Sequence, residues 1–312
     1  MCAPPKEVPL GYNEVFGPFG DAIMNYDGNI IRPPSEADSI ILQVTVGCSH
    51  NHCTFCGAYK DKQFRLRSEE EVAENIGFAA RYCRRQHKVF LADGDALILS
   101  QKRLTALFRR IRTQLPQVRR ISLYGNAKAI RSKSGEQLRE LKELGLDRIY
   151  MGLESGDDTV LNQVRKGETA ASMISAGQKV ASAGIFLSVT VLLGLGGKEQ
   201  SMQHARATGR VLSQMAPRQI AALTLMPLAG TPLGDQVENG DFLLPDALSM
   251  LKELKEMVTF TDCDKVQFMA NHASNYLPIS GRLGRDKDAI LTTIDQAMNG
   301  RIALTPELFR AL

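Results

Sequence analysis

No stretch of the 312 residues is apolar for long enough to cross a bilayer. The longest, Ile185 to Leu195, falls far short of the ~20 residues a spanning helix needs. The opening MCAPPKEVPLGYNEVFGPFG lacks the charged, then apolar, then small-residue order of a signal peptide, so export is not expected. Charge of one sign is scarce too. The 38 Lys and Arg stand against 34 Asp and Glu, and a net charge of +4 is too small to argue for nucleic acid. Low-complexity tracts and long-period repeats are missing, and 44% apolar with 23% charged residues is ordinary for a globular protein. Cysteine is sparse, with six in all, yet three crowd into nine positions while Cys2, Cys83 and Cys263 lie scattered. That distribution suits a metal site in a reducing compartment better than a disulfide framework, so a cytoplasmic location is expected.

What is present is a rhythm. Short β-rich runs at Ile40–Val46, Lys88–Ala92, Arg120–Tyr124, Arg148–Met151, Phe186–Leu193 and Ile220–Met226 alternate with amphipathic helical stretches. The expected helices are Ser68–Arg85, Lys102–Gln114, Ser134–Leu144, Asp158–Ala183, Ser201–Met215 and Pro245–Val258. Ser68-Glu69-Glu70-Glu71 forms a capping box, and Gly145 and Gly184 stand where left-handed cap residues belong. Six strand–helix repeats imply parallel strands with right-handed crossovers, in a sheet that is either open or curled into a barrel. Residues 1–37 are expected to form a loop-like N-terminal extension, 38–260 the α/β core, and 261–312 a small helical appendage closing the barrel mouth.

The chemistry concentrates in Gly47-Cys48-Ser49-His50-Asn51-His52-Cys53-Thr54-Phe55-Cys56-Gly57, directly after the first run. Its thiols therefore sit at the carboxyl end of a strand, where βα barrels build active sites. Three thiolates on one loop can hold three irons of a [4Fe–4S] cube and leave the fourth open. Zinc on Cys48, Cys53 and Cys56 with His50 or His52 is the rival, although no second CxxC or HxxxH supplies a distant ligand pair. A redox role for the Cys53–Cys56 pair leaves Cys48 unexplained.

This segment resembles the signature of the radical S-adenosylmethionine (radical SAM) superfamily, CxxxCxxC with an aromatic residue before the last cysteine, a place Phe55 fills. Here four residues, not three, separate Cys48 from Cys53. Other motifs follow later runs. Asp93-Gly94-Asp95 is similar to the family's Gly-Gly-Glu turn, which implies contact with the methionine amine, and Asp-Gly-Asp is also ordinary turn chemistry. Asn126, or Ser122, is a candidate for the ribose. Gly152-Leu153-Glu154-Ser155-Gly156, continuing to Arg165 and Lys166, resembles the branch of anaerobic coproporphyrinogen dehydrogenases, methylthiotransferases and Elongator-type enzymes. The resemblance implies Glu154 near the ribose or amino group and Arg165 near the carboxylate. Gly194-Leu195-Gly196-Gly197 is similar to a turn that flanks adenine, and Pro227 to Leu233 matches a Pro-x-x-Gly-Thr-Pro-Leu turn of the same branch.

Together the resemblance spans about residues 38–235 and implies a partial (β/α)6 TIM-like barrel holding a [4Fe–4S] cluster and S-adenosylmethionine. The expected activity is reductive cleavage of S-adenosylmethionine to a 5′-deoxyadenosyl radical that takes hydrogen from a small metabolite or cofactor precursor. A reductant such as flavodoxin or ferredoxin would supply the electron. The alternatives are modification of RNA or a peptide, and a non-enzymatic cluster or zinc protein. Arg81, Arg84, Arg85, Arg109 and Arg110 lie on helices and read as a solvated outer face, so nucleic acid is not the expected partner. No module for cobalamin, acetyl transfer or RNA binding is expected. In Asn271-His272-Ala273-Ser274-Asn275-Tyr276 the polar density makes His272 a candidate acid or base and Tyr276 a candidate substrate contact or hydrogen donor.

Overall fold

The structure, a computed structural model, describes residues 24–311; Cys2 and the first part of the expected extension lie outside the described residues. The strands are β1 (Ile40–Gln43), β2 (Thr45–Val46), β3 (Arg65–Leu66), β4 (Lys88–Ala92), β5 (Arg120–Tyr124), β6 (Leu146–Glu154), β7 (Phe186–Leu193), β8 (Gln219–Thr224), β9 (Gln267–Ala270) and β10 (Ile279–Arg282). The helices are α1 (Glu69–Tyr82), α2 (Gln101–Gln114), α3 (Ala127–Ser132), α4 (Gly135–Glu143), α5 (Asp158–Gln163), α6 (Ala170–Ser182), α7 (Gly197–Met215), α8 (Pro232–Glu238), α9 (Ala247–Phe260) and α10 (Lys287–Met298). Eight strands form one sheet in the order β1-β4-β5-β6-β7-β8-β9-β10, parallel throughout except for the β9–β10 pair. With β1 and β10 as its edges, this is the open α/β sheet of a partial barrel.

Alternation along each strand sorts the core. Leu42, Leu91, Leu123, Ile149, Val189, Ile220 and Phe268 share one large cluster with apolar residues of the helices. Phe90, Tyr124 and Tyr150, on the opposite phase, make a separate aromatic cluster with ring centroids 5.2 to 6.0 Å apart. Two helices begin at the expected caps, while α7 starts at Gly197, four residues before the expected Ser201. Ser68 and Glu71 form a reciprocal capping box on α1, and Ser134 and Gln137 form another on α4.

Two further expectations need correction. The single helix over Asp158–Ala183 is two helices, because Arg165 (φ 53°) and Gly167 (φ 72°) turn the chain left-handed between α5 and α6. The C-terminal segment is not only helical. It adds β9 and β10 to the sheet before α10, with β9 continuing the parallel ladder from β8. Of the extension, residues 25–29 lie along the thiol-bearing side: Gln43 exchanges hydrogen bonds with the backbone of Asp27, and Arg67 Nη1 donates to the Asn25 carbonyl at 2.7 Å.

Candidate active site at the carboxyl ends of the strands

Parallel strands place all their carboxyl ends on one side, and there the chain gathers its unusual backbone. Gly47 (φ 77°), Asn51 (φ 42°), Asp93 (φ 72°), Glu154 (φ 63°) and Gly194 (φ 85°) all adopt left-handed conformations at or just beyond strand ends. Side chains such as Asp93 and Glu154 hold this conformation only where their surroundings enforce it.

The thiol loop shows how the extra residue between Cys48 and Cys53 is absorbed. Asn51 takes the left-handed turn, and its side-chain amide donates to the Tyr59 carbonyl at 2.7 Å. The His50 Nε2 lies 2.7 Å from the Arg165 carbonyl, and Thr54 N–H donates to the Val164 carbonyl at 3.0 Å, so the loop is stitched to the α5–α6 turn. Gly167 makes room for this, since a Cβ there would sit 2.5 Å from the His50 ring. Cys48, Cys53 and Cys56 are free and partly buried. Burial pushes the Cys53 thiol up to about 11, against the pull of Lys166, and raises Cys56 as well. Forming thiolates at Cys53 and Cys56 therefore has to accompany metal binding, with release of protons.

These residues fit a cluster better than a single ion. Among the described residues no three His, Cys, Asp or Glu side chains stand close enough together to hold one metal ion. A cube takes one thiolate per iron, which keeps its ligands further apart than the four ligands of zinc. His50, a candidate zinc ligand, already faces a carbonyl, and His52 is exposed. The cradle around Cys48 is tight: a Cβ on Gly94 would lie 2.8 Å from the Cys48 Cβ. Beside it, the buried Oδ1 atoms of Asn51 and Asp93 have no hydrogen-bond partner among the described residues.

Asp93 and Asp95 brace this cradle. Asp93 Oδ2 accepts from Gln43 Nε2 at 3.0 Å and from Gly47 N–H at 2.8 Å, tying the end of β1 to the end of β4; burial raises its carboxyl all the same. Asp95 is wholly buried and accepts from Ser49 Oγ at 2.7 Å, from Asn126 Nδ2 at 2.8 Å and from Asn126 N–H at 3.3 Å. Burial pushes it up to about 6, opposed by the Ser49 and Asn126 bonds. Asn126 in turn caps α3 through Ala129 N–H at 2.8 Å. Asp93, Gly94, Asp95 and Asn126 thus meet the thiol loop, with Ser49 as the unexpected link.

At the end of β6 the register slips between Gly152 and Glu154, and the bulge re-aims the Glu154 side chain. Glu154 Oε1 accepts from Lys166 Nζ at 2.9 Å, with both side chains largely buried. Burial draws the Lys166 ammonium down, but Glu154 and Cys53 outweigh it and the net shift is upward. A Cβ at Gly152 would fall 2.0 Å from Glu154 Oε1, so a larger residue there would push the carboxylate aside. Arg165 itself points outward and is exposed; it is the neighbouring Lys166 that reaches the acid. Sequence reasoning passed over Lys166 because its partner lies twelve residues back, across a turn that reads as helix.

The Gly194 turn joins the same region. Leu195 is fully buried in an apolar cluster with Val160, Val164, Leu225 and Leu233, against which Phe55 of the thiol loop packs. His272 and Tyr276 follow β9 on the same side of the sheet. His272 Nδ1 lies 2.9 Å from Ser274 Oγ, and burial lowers the ring below its usual value. The Tyr276 hydroxyl donates to Glu307 at 2.7 Å, and the Arg310 guanidinium covers its ring at 3.9 Å.

A model of the Radical SAM superfamily matches residues 42–209. None of the curated protein sequences matches the chain. Among solved structures, methylornithine synthase (PylB) is similar with a TM-score of 0.51 at 17% identity, over 81% of this chain and 68% of that one. The radical SAM enzyme coproporphyrinogen III oxidase (HemN) from Escherichia coli gives 0.53 at 17%, over 71% and 51%. The radical S-adenosylmethionine methyltransferase TsrM from Kitasatospora setae, solved with cobalamin and a [4Fe–4S] cluster, gives 0.52 at 16%, over 64% and 36%. The chain thus spans about half of HemN and about a third of TsrM. At these identities the likeness is one of fold.

Proposed function

The chain belongs to the radical SAM superfamily, and from that premise we propose that Cys48, Cys53 and Cys56 hold the [4Fe–4S] cluster with which enzymes of this family cleave S-adenosylmethionine. Held by these residues and reduced, the cluster would supply the one electron that cleaves S-adenosylmethionine to methionine and a 5′-deoxyadenosyl radical, for hydrogen abstraction from a small metabolite or cofactor precursor that leaves 5′-deoxyadenosine and a substrate radical.

One observation carries this reading: the thiol loop, the Asp95–Asn126 pair and the Glu154–Lys166 pair meet at one end of the sheet. Lys166 and Glu154 offer a cation and an anion beside Cys53, suited to the carboxylate and ammonium of the methionine part. Asp93, Gly94 and Asp95 keep the loop in place. Asn126 faces the ribose side, and Arg165 covers the outer rim. Phe55, Gly194 and Leu195 build an apolar wall for adenine and exclude water. Residues 38–260 form the catalytic core, and 261–312 cover the mouth with His272 and Tyr276 as the candidate substrate contacts. The electron comes from a flavodoxin- or ferredoxin-like protein.

Anaerobic reconstitution followed by dithionite and S-adenosylmethionine tests this. The expected outcome is about four irons per chain and chromatographic release of 5′-deoxyadenosine. Tightly held zinc without cleavage refutes it.

A further inference from the structure

Behind the site, four elements meet at a buried polar network that the chemistry above does not use. His204 on α7 and Glu253 on α9 are 2% and 0% exposed. His204 Nε2 lies 3.1 Å from the Leu192 carbonyl. A carbonyl only accepts, so Nε2 carries a proton, and Nδ1 lies 2.7 Å from the Ser155 hydroxyl. Ser155 Oγ also accepts from Asp157 N–H at 3.0 Å. Glu253 Oε1 accepts from Gly194 N–H at 2.6 Å and lies 3.5 Å from His204 Nε2, while Oε2 accepts from the Ser201 hydroxyl. Every group of the network has a partner, the condition under which a buried polar network fixes a single arrangement.

The two ends of this network are the two turns assigned to the cofactor. Ser155 follows Glu154 directly, and Gly194 opens the apolar turn. Each turn also packs closely against one of these helices, the Gly156 turn on the backbone of α7 and the Gly194 turn on a side chain of α9. A Cβ on Gly156 would meet the Ala207 carbonyl and the Thr208 Cα of α7 at 2.6 Å, and one on Gly194 would meet Met250 of α9 at 2.3 Å. The Gly156 N–H donates to Thr208 Oγ1 at 2.9 Å. A Cβ on Gly209 of α7 would lie 2.7 Å from the Met257 carbonyl of α9, so the helices themselves are in close backbone contact. Glu253 lies beyond the family-matched residues 42–209.

We infer that His204 and Glu253 are positioning residues, which set the Glu154 turn and the Gly194 turn at the separation that S-adenosylmethionine spans. The inference rests on the proposed function. Neither side chain touches the cofactor; they act through Ser155 and through the Gly194 amide. Misplacing groups by about 1 Å costs binding and rate far more than it costs folding.

The test is calorimetric titration of the reconstituted protein with S-adenosylhomocysteine, read beside the cluster EPR signal and the melting temperature. Glu253→Ala removes the acceptor of the Gly194 amide and is expected to weaken binding about 10- to 100-fold with the EPR signal unchanged. Glu253→Gln keeps an acceptor for Gly194 and a partner for Ser201, and is expected to restore binding to within about threefold of wild type. Ser155→Ala deletes one hydroxyl without changing shape and decides the matter if Glu253→Ala does not fold; about tenfold weaker binding is expected. Wild-type binding in both alanine variants, or in Ser155→Ala alone where the other does not fold, overturns the inference. So does a glutamine variant as weak as the alanine one. If the wild-type protein neither binds S-adenosylhomocysteine nor releases 5′-deoxyadenosine, it is the proposed function that fails.

Discussion

Two polar regions lie at the same end of the sheet, and they hold their side chains differently. Around the thiol loop, acids are buried and shared between separate strands: Asp93 joins β1 to β4, Asp95 joins the loop to β5, and Glu154 joins β6 to the α5–α6 turn. After β9, Ser274 and Asn275 tie the segment to Ala222 and Thr224 of β8, but the two candidate side chains bind only their own segment and residues 307–310. His272 turns to Ser274, and Tyr276 to Glu307, whose side chain is 68% exposed. A carboxylate shared between distant strands in a dry place fixes a geometry, whereas one in water adds little. The first region is therefore a framework around a reactive centre, whereas in the second the candidate side chains sit on a turn anchored to β8 and fastened to residues 307–310.

The largest effect that separates the regions is loss of a cluster thiolate. Alanine at Cys48, Cys53 or Cys56 is expected to bring iron content and 5′-deoxyadenosine release to background, whereas Cys263→Ala leaves both near wild type. Cys263 offers only a weak thiol hydrogen bond, 3.6 Å from the Leu212 carbonyl. Iron analysis and product chromatography on the same preparations read both.

Next comes the Glu154–Lys166 pair. Lys166→Met leaves a buried carboxylate without its partner, and breaking such a pair costs about 3 kcal/mol. A lowered denaturation midpoint with unchanged slope is expected, together with loss of S-adenosylmethionine cleavage. Arg165→Met, a change at the exposed neighbour, should alter stability by less than about 0.5 kcal/mol. If Arg165→Met abolishes cleavage and Lys166→Met does not, the assignment within this turn reverses.

Asp95 gives a smaller effect with a definite sign. Its folded pKa of about 6 lies above the ordinary carboxylate value because of burial. The folded state therefore holds the proton more tightly than the unfolded chain between about pH 4 and 6, and stability falls as pH rises through that window. The contribution amounts to about 3 kcal/mol and is constant above it. Asp95→Asn is expected to remove this share of the slope, seen as a decline smaller than that of the wild type by about 3 kcal/mol. An identical pH profile in both proteins would show that Asp95 is ionised freely and is not the dry brace described.

How much of this was legible follows from where each constraint originates. The bounds of β4, β5 and β7 match the apolar runs residue for residue, since strands covered on both faces need such runs. The thiols, Asp95 and Glu154 stood out as candidates because they fall just after the apolar runs of β1, β4 and β6. The break between α5 and α6 was not, because Arg165 turns left-handed to bring Lys166 to an acid on another element. Glu253 was equally hidden: nothing near it in the chain reveals that its carboxylate faces Gly194, 59 positions away. Strands β9 and β10, four residues each, are too short for periodicity to distinguish from a polar connection. Local patterning reports elements, and contacts between distant segments report the site.

The smallest expected effect lies in the second region and bears on its role. Tyr276→Phe removes the hydroxyl that donates to Glu307 but keeps the ring under Arg310, so stability should fall by less than about 1 kcal/mol, discounted for the exposure of Glu307. Its effect on turnover decides what the fastening is for. If Tyr276 donates hydrogen to the substrate or holds it, Tyr276→Phe should lower single-turnover product formation about 100-fold while 5′-deoxyadenosine release persists. His272→Gln should do the same if the imidazole serves as acid or base. Unchanged product formation in both variants would leave the region with attachment alone. It would also place the substrate-facing groups among the strand ends between β4 and β8.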